Sequence, residues 1–456
     1  MERLQMRYFS RIRCMVCVLL MMNILLLERL ISGYVNILLR LALAFFIVVA
    51  YILTQIFPCQ EKHMALRVQI LSGGYELIRS ALPAFFLEIM GYFICLSLWG
   101  ELIFSDRSLL LLALTNGLVA WFTLLIHYLN GFWRTCVTSS QLGAGLRVLM
   151  FFFWWIVPVN LILFVKWCST VRRELYYERN RYLLDSTRAE NAVCQTRYPV
   201  VMVHGIFFRD WQFLNYWGRV PQALKKNGAV VYYGSQQSSL SIADSAAEVK
   251  AEIERVLRET GAEKVNVVAH SKGGLDTRYA ISKLGMADKI ASLTTINTPH
   301  RGCQFVDALL GSLPDWLIQF TANHYNTLFH RLGDDAPDFL AGVKDLTAGA
   351  CAAFNENVPD SPKVYYQSSM SKMHSAKSAG FPLNLGYLLV KKYEGENDGL
   401  VSISSAVYGH YLGLVSAGKR GISHGDMIDL THQNIPGFDV AEFYVQIFAG
   451  LKEKGF

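Results

Sequence analysis

The chain has 456 residues, of which 52% are hydrophobic and 17% charged, and this combination indicates a membrane part joined to a soluble part. Before Arg197 there are 18 Lys and Arg residues against 11 Asp and Glu, whereas the remainder holds 25 of each, so the net charge of +7 lies in the N-terminal part. A neutral C-terminal part without a basic stripe excludes nucleic acid as its partner.

Five apolar stretches in the N-terminal part approach the ~20 residues that span a bilayer core. They lie at about 15–27, 37–57, 81–98, 109–129 and 148–167. Because the first stretch is short, the sequence predicts an all-α transmembrane region of four or five helices within residues 1–168. No small-residue cleavage site follows the first stretch and further stretches come behind it, which argues against a signal peptide.

Positive charges alternate between the short segments around these stretches. Four arginines precede the first stretch, and one, three, one and two Lys or Arg residues follow in turn. Under the positive-inside rule this predicts a cytoplasmic N-terminus, and five crossings would place the C-terminal part on the extracellular side. A basic cluster after the last stretch favours the opposite side, which four crossings would satisfy. Its members are Lys166, Arg172, Arg173, Arg179 and Arg181.

Two ionisable residues, Arg40 and Glu88, fall inside the apolar stretches. Charges at membrane depth often mark a transport pathway. Both residues lie near the end of a stretch and neither repeats at helical spacing, so we expect them to snorkel or to pair with a neighbouring helix. The nine cysteines show neither a disulfide framework nor the spacing of a zinc site.

A polar and charged segment at 169–196 predicts a helical or extended stalk between two domains. From residue 197 onward, short β-branched runs alternate with amphipathic helices. Predicted strands cover residues 200–203, 230–233, 265–269 and 290–296, and a predicted helix covers 241–260. This alternation is typical of a mostly parallel sheet with helices on both faces.

The third strand, VNVVA, runs directly into AHSKGG and places Ser271 between a predicted strand and a predicted helix. This is the context of a nucleophile elbow, in which a sharp turn lifts a serine hydroxyl above the sheet and small flanking residues allow the bend. Ala269 stands where the more common pattern has glycine. The sequence therefore predicts Ser271 as a nucleophile rather than as a helix cap.

Attack by Ser271 on an ester carbonyl would develop an oxyanion that needs N–H donors. The backbone N–H groups of Lys272 and of Ile206, in the loop VHGIFFRDW, are the predicted donors. Gly205 permits close approach to a substrate, and we expect His204 to orient the loop rather than to act as a base. The Lys272 side chain is expected to be solvated, with a contact to anionic head groups as the alternative.

A serine nucleophile needs a histidine base that is held by a carboxylate, in the chain order Ser, acid, His. Asp398, in the turn sequence GENDGLV, is the predicted acid. His424, in GISHGDMID after the last strand-like run, is the predicted base. His410 and His432 are the other candidates for that role.

The motifs VHGIFF, AHSKGGLDTRYA, TINTPHRG, NDGLV and SHGD follow one another between residues 198 and 456. In this order they resemble the bacterial triacylglycerol lipases, the true lipases of the α/β-hydrolase superfamily. The resemblance implies an α/β-hydrolase domain at 197–456, and the transmembrane region has no counterpart in the secreted members. It implies roles for the following residues: Ser271, Asp398 and His424 as the triad, Ile206 and Lys272 as oxyanion donors, and His300 as a structural residue.

Many of these lipases hold a structural calcium ion near the catalytic histidine, with an Asp two residues beyond it. Asp426 matches that position. The partner Asp expected before the acid loop has no equivalent in SMSKMHSAKSAGF, and calcium needs several oxygen ligands. We therefore expect neither a metal site nor another cofactor.

An insertion at about 303–362 is rich in apolar and aromatic residues. It predicts either an amphipathic lid over an acyl pocket or an ordinary packed helix. The residues at helical spacing are Leu309, Leu313, Trp316, Leu317 and Phe320.

Together these features predict a membrane-anchored carboxylic ester hydrolase, a lipase that acts on acylglycerols through a Ser–Asp–His triad and an acyl-enzyme. An acyltransferase or a short-chain esterase would use the same triad. An inactive membrane scaffold is a further alternative, against which the complete triad argues. The predicted partners are a lipid or ester substrate and the membrane, and the sequence indicates no particular protein partner.

Overall fold

The computed structural model describes residues 2–59, 61, 63–206, 216–234, 236–237, 239–331, 334 and 336–456. The chain divides into two compact units, Met1–Leu183 and Leu184–Phe456. The described part of the first unit is helical, whereas the second unit combines a sheet with helices.

The helices that begin in the first unit follow its apolar runs, since a helix satisfies its backbone hydrogen bonds within one segment. Asn36 and Asp106 begin two of them as N-caps and accept hydrogen bonds from backbone N–H groups (2.9 and 2.7 Å). The bounds are α1 (Glu2–Met22), α2 (Ile24–Ile31), α3 (Ile37–Ile56), α4 (Leu66–Ser105), α5 (Arg107–Thr138), α6 (Ala144–Phe152) and α7 (Val157–Arg188).

Among the described residues, three helices are long and apolar enough to cross a membrane: α3, α4 and α5. The bent pair α1 and α2, which turns by 67°, would make a fourth span. The predicted fifth span, 148–167, is divided between α6 and α7 at residues 153–156, and neither of these two described helices meets that length and apolarity. The predicted stalk continues α7 as far as Arg188.

Close packing of α4 on α5 depends on two glycines. A Cβ at Gly131 would lie 2.8 Å from the Gly74 carbonyl oxygen, and one at Gly74 would lie 2.9 Å from the Gly131 carbonyl oxygen. Small residues at such contacts let helix backbones approach in a membrane, where van der Waals packing replaces the hydrophobic effect as the force between helices.

A directed chain of hydrogen bonds joins α3, α4 and α5. Arg134 has only donors, so its Nε donates to Asn130 Oδ1 (2.9 Å), and Asn130 Nδ2 in turn donates to Gln55 Oε1 (3.0 Å). Gln55 Nε2 is then left to donate to His127 Nδ1 (2.8 Å), which places the His127 proton on Nε2, 2.9 Å from Ser80 Oγ. This chain of hydrogen bonds therefore uses both ring nitrogens of His127, which is fully buried.

The two ionisable residues noted in the apolar stretches have partners, as predicted. Arg40 forms an ion pair with Glu28, and Asn23 donates from Nδ2 to Glu88 Oε2 (2.8 Å). The structure adds Glu76, a fully buried carboxylate three turns before Glu88 on α4. The sequence pattern missed it because Glu76 precedes the apolar stretch that was predicted as a span.

Among the described residues of the second unit, six strands form one parallel sheet in the order β2-β1-β3-β4-β5-β6. The strands β1, β3 and β4 are buried at every position, as parallel strands covered on both faces require. The predicted strands at 200–203 and 290–296 are confirmed at both ends. The bounds are β1 (Val200–Val203), β2 (Val231–Tyr233), β3 (Val265–His270), β4 (Ile290–Ile296), β5 (Tyr365–Ser371) and β6 (His410–Val415).

Helices cover both faces of this sheet, which confirms the predicted α/β architecture. In β1, Val200 and Met202 pack into one core with α8 and α17, whereas Val201 and Val203 pack into the other with α9 and α10. The bounds are α8 (Val220–Lys226), α9 (Ile242–Thr260), α10 (Gly273–Lys283), α11 (Gln304–Ser312), α12 (Asp315–Arg331), α13 (Phe339–Lys344), α14 (Ala348–Asn357), α15 (Leu383–Glu394), α16 (Ile403–Ala406) and α17 (Val440–Glu453).

Candidate active site

Ser271 lies between the carboxyl end of β3 and the start of α10, with a backbone φ of 55°. A left-handed conformation is costly for a residue with a side chain, and such strain is concentrated at functional sites. The Ser271 N–H donates to the Ile296 carbonyl (2.9 Å), and a Cβ at Gly205 would lie 2.6 Å from Ser271 Cβ. The turn therefore has the form of a nucleophile elbow, and glycine opposite it leaves room for the serine.

Asp398 and His424 are brought together from separate loops. His424 Nδ1 lies 2.7 Å from Asp398 Oδ2, which also accepts from Asn297 Nδ2 (2.6 Å). Oδ1 accepts from the backbone N–H groups of Leu400 (2.9 Å) and Val401 (2.8 Å). Four donors thus surround a fully buried carboxylate, and hydrogen bonding of this kind compensates the loss of hydration.

His424 is placed beside the elbow by its contact with His270, whose ring centroid is 4.4 Å from that of His424. His270 immediately precedes Ser271, so the predicted base and nucleophile lie on adjoining features of one site. Within the described residues, no hydrogen bond links Ser271 Oγ to His424. In the absence of substrate such catalytic contacts are often long and shorten in the reacting complex.

The two predicted oxyanion donors flank the elbow. Lys272 is the N-cap of α10, where the first N–H groups of a helix have no partner within the helix. Ile206 is buried in the loop that follows β1, three residues after the strand ends. The remainder of the predicted loop, from residue 207 through 211, lies outside the described residues.

The Lys272 side chain is buried, not solvated as expected. Its Nζ donates to Asp276 Oδ1 (2.7 Å), one turn along α10, and to Ser245 Oγ (2.9 Å) on α9. Burial raises the pKa of Asp276 to about 7, against the opposing effect of Lys272. A lysine held in this way cannot contact a lipid head group, so the alternative of head-group recognition is also wrong.

The other histidines near the sheet edge have structural partners or are exposed. His204 Nδ1 and Nε2 lie 2.8 and 2.9 Å from the carbonyl oxygens of Gly205 and Gln236, which supports its predicted part in orienting the loop. His300 stacks on Tyr408 at 4.1 Å. The remaining candidates, His410 and His432, are exposed.

Asn297 is a site residue that the sequence analysis missed. It directly follows β4 with a φ of 51°, and its Nδ2 donates to Ser371 Oγ (2.7 Å) as well as to Asp398. A polar residue at the carboxyl end of a buried parallel strand is the signal that would have identified it, because ligands and reactive groups meet at that edge.

Asp426, the residue at the position of a calcium ligand in related lipases, is held by an arginine. Arg420 Nη2 lies 2.9 and 2.8 Å from the two Asp426 oxygens, and Ser423 donates to the same carboxylate through its N–H (2.8 Å) and hydroxyl (2.7 Å). Arg420 Nε donates to the Ser378 carbonyl (2.8 Å). The described residues contain no group of three or more His, Cys, Asp or Glu side chains arranged for a metal. With a guanidinium already on this carboxylate, the residues present do not fit a calcium site.

The parallel sheet, the helices on both of its faces and the elbow serine give the second unit an α/β-hydrolase fold, and its sequence is similar to those of triacylglycerol lipases. The family model for palmitoyl protein thioesterase matches residues 199–335. A triacylglycerol lipase of Burkholderia plantarii is 34% identical over 184 residues, covering 38% of this chain and 51% of that protein. One of Vibrio cholerae is 28% identical over 291 residues, covering 59% of this chain and 91% of that protein.

The predicted resemblance to bacterial triacylglycerol lipases is therefore confirmed. This chain spans about half the length of the Burkholderia lipase and of a Pseudarthrobacter phenanthrenivorans lipase, 51% and 54%. Among solved structures, Staphylococcus hyicus lipase is similar at 18% identity with a TM-score of 0.45, covering 57% of this chain and 98% of that one.

Proposed function

We propose that this protein is a membrane-anchored carboxylic ester hydrolase, a lipase that uses Ser271, His424 and Asp398 to cleave acylglycerols through an acyl-enzyme. The observation that carries the proposal is the Asp398–His424 hydrogen bond, placed beside a strained serine at the carboxyl edge of a parallel sheet. Such a dyad has little structural use at that edge, whereas a serine hydroxyl needs both members to become a nucleophile.

In the proposed reaction, Ser271 Oγ attacks the ester carbonyl while His424 Nε2 takes the hydroxyl proton. The Asp398 carboxylate holds Nδ1–H and stabilises the imidazolium. The N–H groups of Ile206 and Lys272 receive the oxyanion, the alcohol leaves with the proton from His424, and water then releases the acid by the same steps. Only side chains, backbone groups and water take part, so we expect full activity in the presence of a chelator.

The insertion supports a water-insoluble substrate. Its described residues form the four helices α11 to α14, and α12 carries Trp316 and Phe320 with 69% and 66% of their surface exposed. Large exposed apolar side chains that cluster on one helix mark a contact surface. A lid of this kind would contact lipid when open, and each buried CH₂ of an acyl chain would contribute ~0.8 kcal/mol.

The helices of the first unit would hold the enzyme at a bilayer, with three or four spans in place of the four or five predicted. From the positive-inside alternation we propose that the hydrolase unit lies on the extracellular side. Protease added to intact cells should then remove the hydrolase unit. If protease cuts it only after the cells are opened, the unit is cytoplasmic.

The enzymatic proposal is tested by labelling the full-length chain with a fluorophosphonate, followed by hydrolysis of p-nitrophenyl esters from two to sixteen carbons. We expect labelling at Ser271 and a kcat/KM that rises with chain length and again when the ester passes its solubility limit. A maximum at acetate or butyrate would assign a short-chain esterase, and transfer of the acyl group to glycerol in preference to water would assign an acyltransferase. Absence of labelling would leave the scaffold alternative.

A further inference from the structure

His270 is a fully buried histidine that the proposed reaction does not use. It ends β3 one residue before Ser271, and its ring packs at 4.4 Å against the ring of His424 with an interplanar angle of 54°. Its Nε2 is buried and has no hydrogen-bond partner among the described residues. Burial of a ring nitrogen without a hydrogen-bond partner lowers the stability of the fold. The other contacts of His270 therefore need an explanation.

The other ring nitrogen of His270 leads to the oxyanion loop. His270 Nδ1 lies 2.7 Å from Tyr216 Oη, and Tyr216 Oη accepts the N–H of Gly205 (3.0 Å). Gly205 precedes Ile206, the proposed oxyanion donor. One phenol therefore contacts both the backbone that carries the donor and the ring that packs on the base.

We propose that Tyr216 and His270 form a positioning pair, which holds the Gly205–Ile206 backbone and the His424 imidazole in register around Ser271. The inference rests on the proposed function and deepens it by assigning two residues that touch neither substrate nor reacting atoms. Oxyanion donors and the general base must both be aligned when the tetrahedral intermediate forms, so a shared support acts mainly on kcat.

The chemistry of His270 suits this role. Burial, together with the neighbouring His424, holds the pKa of His270 well below its ordinary value. The His270 ring therefore stays uncharged at neutral pH and does not repel the His424 imidazolium that forms during the reaction. A positively charged imidazolium at this position would repel the imidazolium that forms on His424.

The test compares Tyr216→Phe, His270→Phe and the double variant with the wild-type full-length chain. Phenylalanine keeps an aromatic ring in each place but removes the hydrogen bond between them. The matched control is Tyr366→Phe, because Tyr366 Oη likewise accepts a hydrogen bond from a backbone N–H, that of Ser361 (3.1 Å). Tyr366 lies near the amino end of β5, whereas Ser271 lies at the carboxyl edge of the sheet. Each variant is measured for kcat and KM on p-nitrophenyl butyrate, for melting temperature and for the pH dependence of kcat/KM.

We expect each single variant to lower kcat about tenfold with little change in KM, less than the 10²- to 10³-fold cost of removing an oxyanion donor itself. Because the two residues act as one unit, the double variant should lose no more than the worse single variant. The acid limb of kcat/KM should keep the same form in every variant, because burial keeps His270 from titrating near neutral pH. Tyr366→Phe should change the melting temperature alone.

Three results would overturn the pairing: wild-type kcat in both single variants, losses that multiply in the double variant, or an equal loss of kcat in Tyr366→Phe. An inactive wild-type chain would instead contradict the proposed function. The two failures are therefore distinguishable.

Discussion

The two units bury polar side chains for different ends. In the apolar helices of the first unit, the hydrogen-bond chain from Arg134 to Ser80 connects donors to acceptors in one direction and uses both nitrogens of His127. At the sheet edge of the hydrolase unit, Ser271 is buried in a strained backbone and its hydroxyl makes no hydrogen bond within the described residues. Burial of a polar group alone therefore does not mark a reactive site, and we base the proposed site on the hydroxyl without a hydrogen bond beside an imidazole that a carboxylate holds.

Replacement of Ser271 should have the strongest effect on ester hydrolysis, and it tests the proposed reactive site. Ser271→Ala should lower ester hydrolysis on the order of 10⁵-fold, because the nucleophile acts as one unit with its base. The circular dichroism spectrum and the melting temperature should stay close to those of the wild type, since the change removes one hydroxyl group that makes no hydrogen bond within the described residues. Activity at even a few per cent of wild type would assign the nucleophile elsewhere.

Replacement of the base should have a similar but smaller effect. His424→Ala should lower kcat on the order of 10⁴-fold, because it removes the proton acceptor and leaves the Asp398 carboxylate without its partner. His432→Ala is the matched control, since His432 is exposed and lies on the same loop. If His432→Ala were inactive and His424→Ala active, the triad would have to be reassigned.

In the first unit, the expected effects are on thermal stability. Gly131→Ala would place a Cβ 2.8 Å from the Gly74 carbonyl oxygen, and overpacking of this kind costs about 1–3 kcal/mol. Gly91→Ala on α4 is the control, because nothing lies within 4 Å of a Cβ there. Thermal unfolding in detergent micelles should separate the two variants, and equal melting temperatures would contradict the close α4–α5 packing.

Replacement of His127, in the hydrogen-bond chain from Arg134 to Ser80, should change the melting temperature only slightly. His127→Leu removes the acceptor of Gln55 Nε2 and one contact of Ser80 Oγ, which still donates within its own helix to the Glu76 carbonyl (2.9 Å). Interhelical hydrogen bonds in membranes contribute about 0.6 kcal/mol each on average. We expect a slightly lower melting temperature and an unchanged kcat/KM for a soluble short ester. Loss of hydrolysis without a change in melting temperature would contradict the assignment of His127 to the stability of the first unit.

The sequence was most informative where local pattern determines local structure. The strands around Ser271 were predicted within one or two residues, because runs of β-branched residues between helices suit only buried parallel strands. The elbow needs only a strand, a serine and small neighbours, all within one short segment. Chain order then pointed to Asp398 and His424, which the fold brings to 2.7 Å.

The order of residues was enough to divide the protein into an apolar helical part and an α/β-hydrolase part with a serine at the strand-to-helix turn. Contacts between distant segments could be found only in the folded chain: Asn297 reaches Asp398 across 101 residues, and Tyr216 reaches His270 across 54. The tertiary structure also buried Lys272 against Asp276, since exposure depends on what packs over a helix and not on the residue type. Local patterns record the backbone preferences of neighbouring residues, whereas hydrogen bonds between strand ends and loops exist only after the sheet has formed.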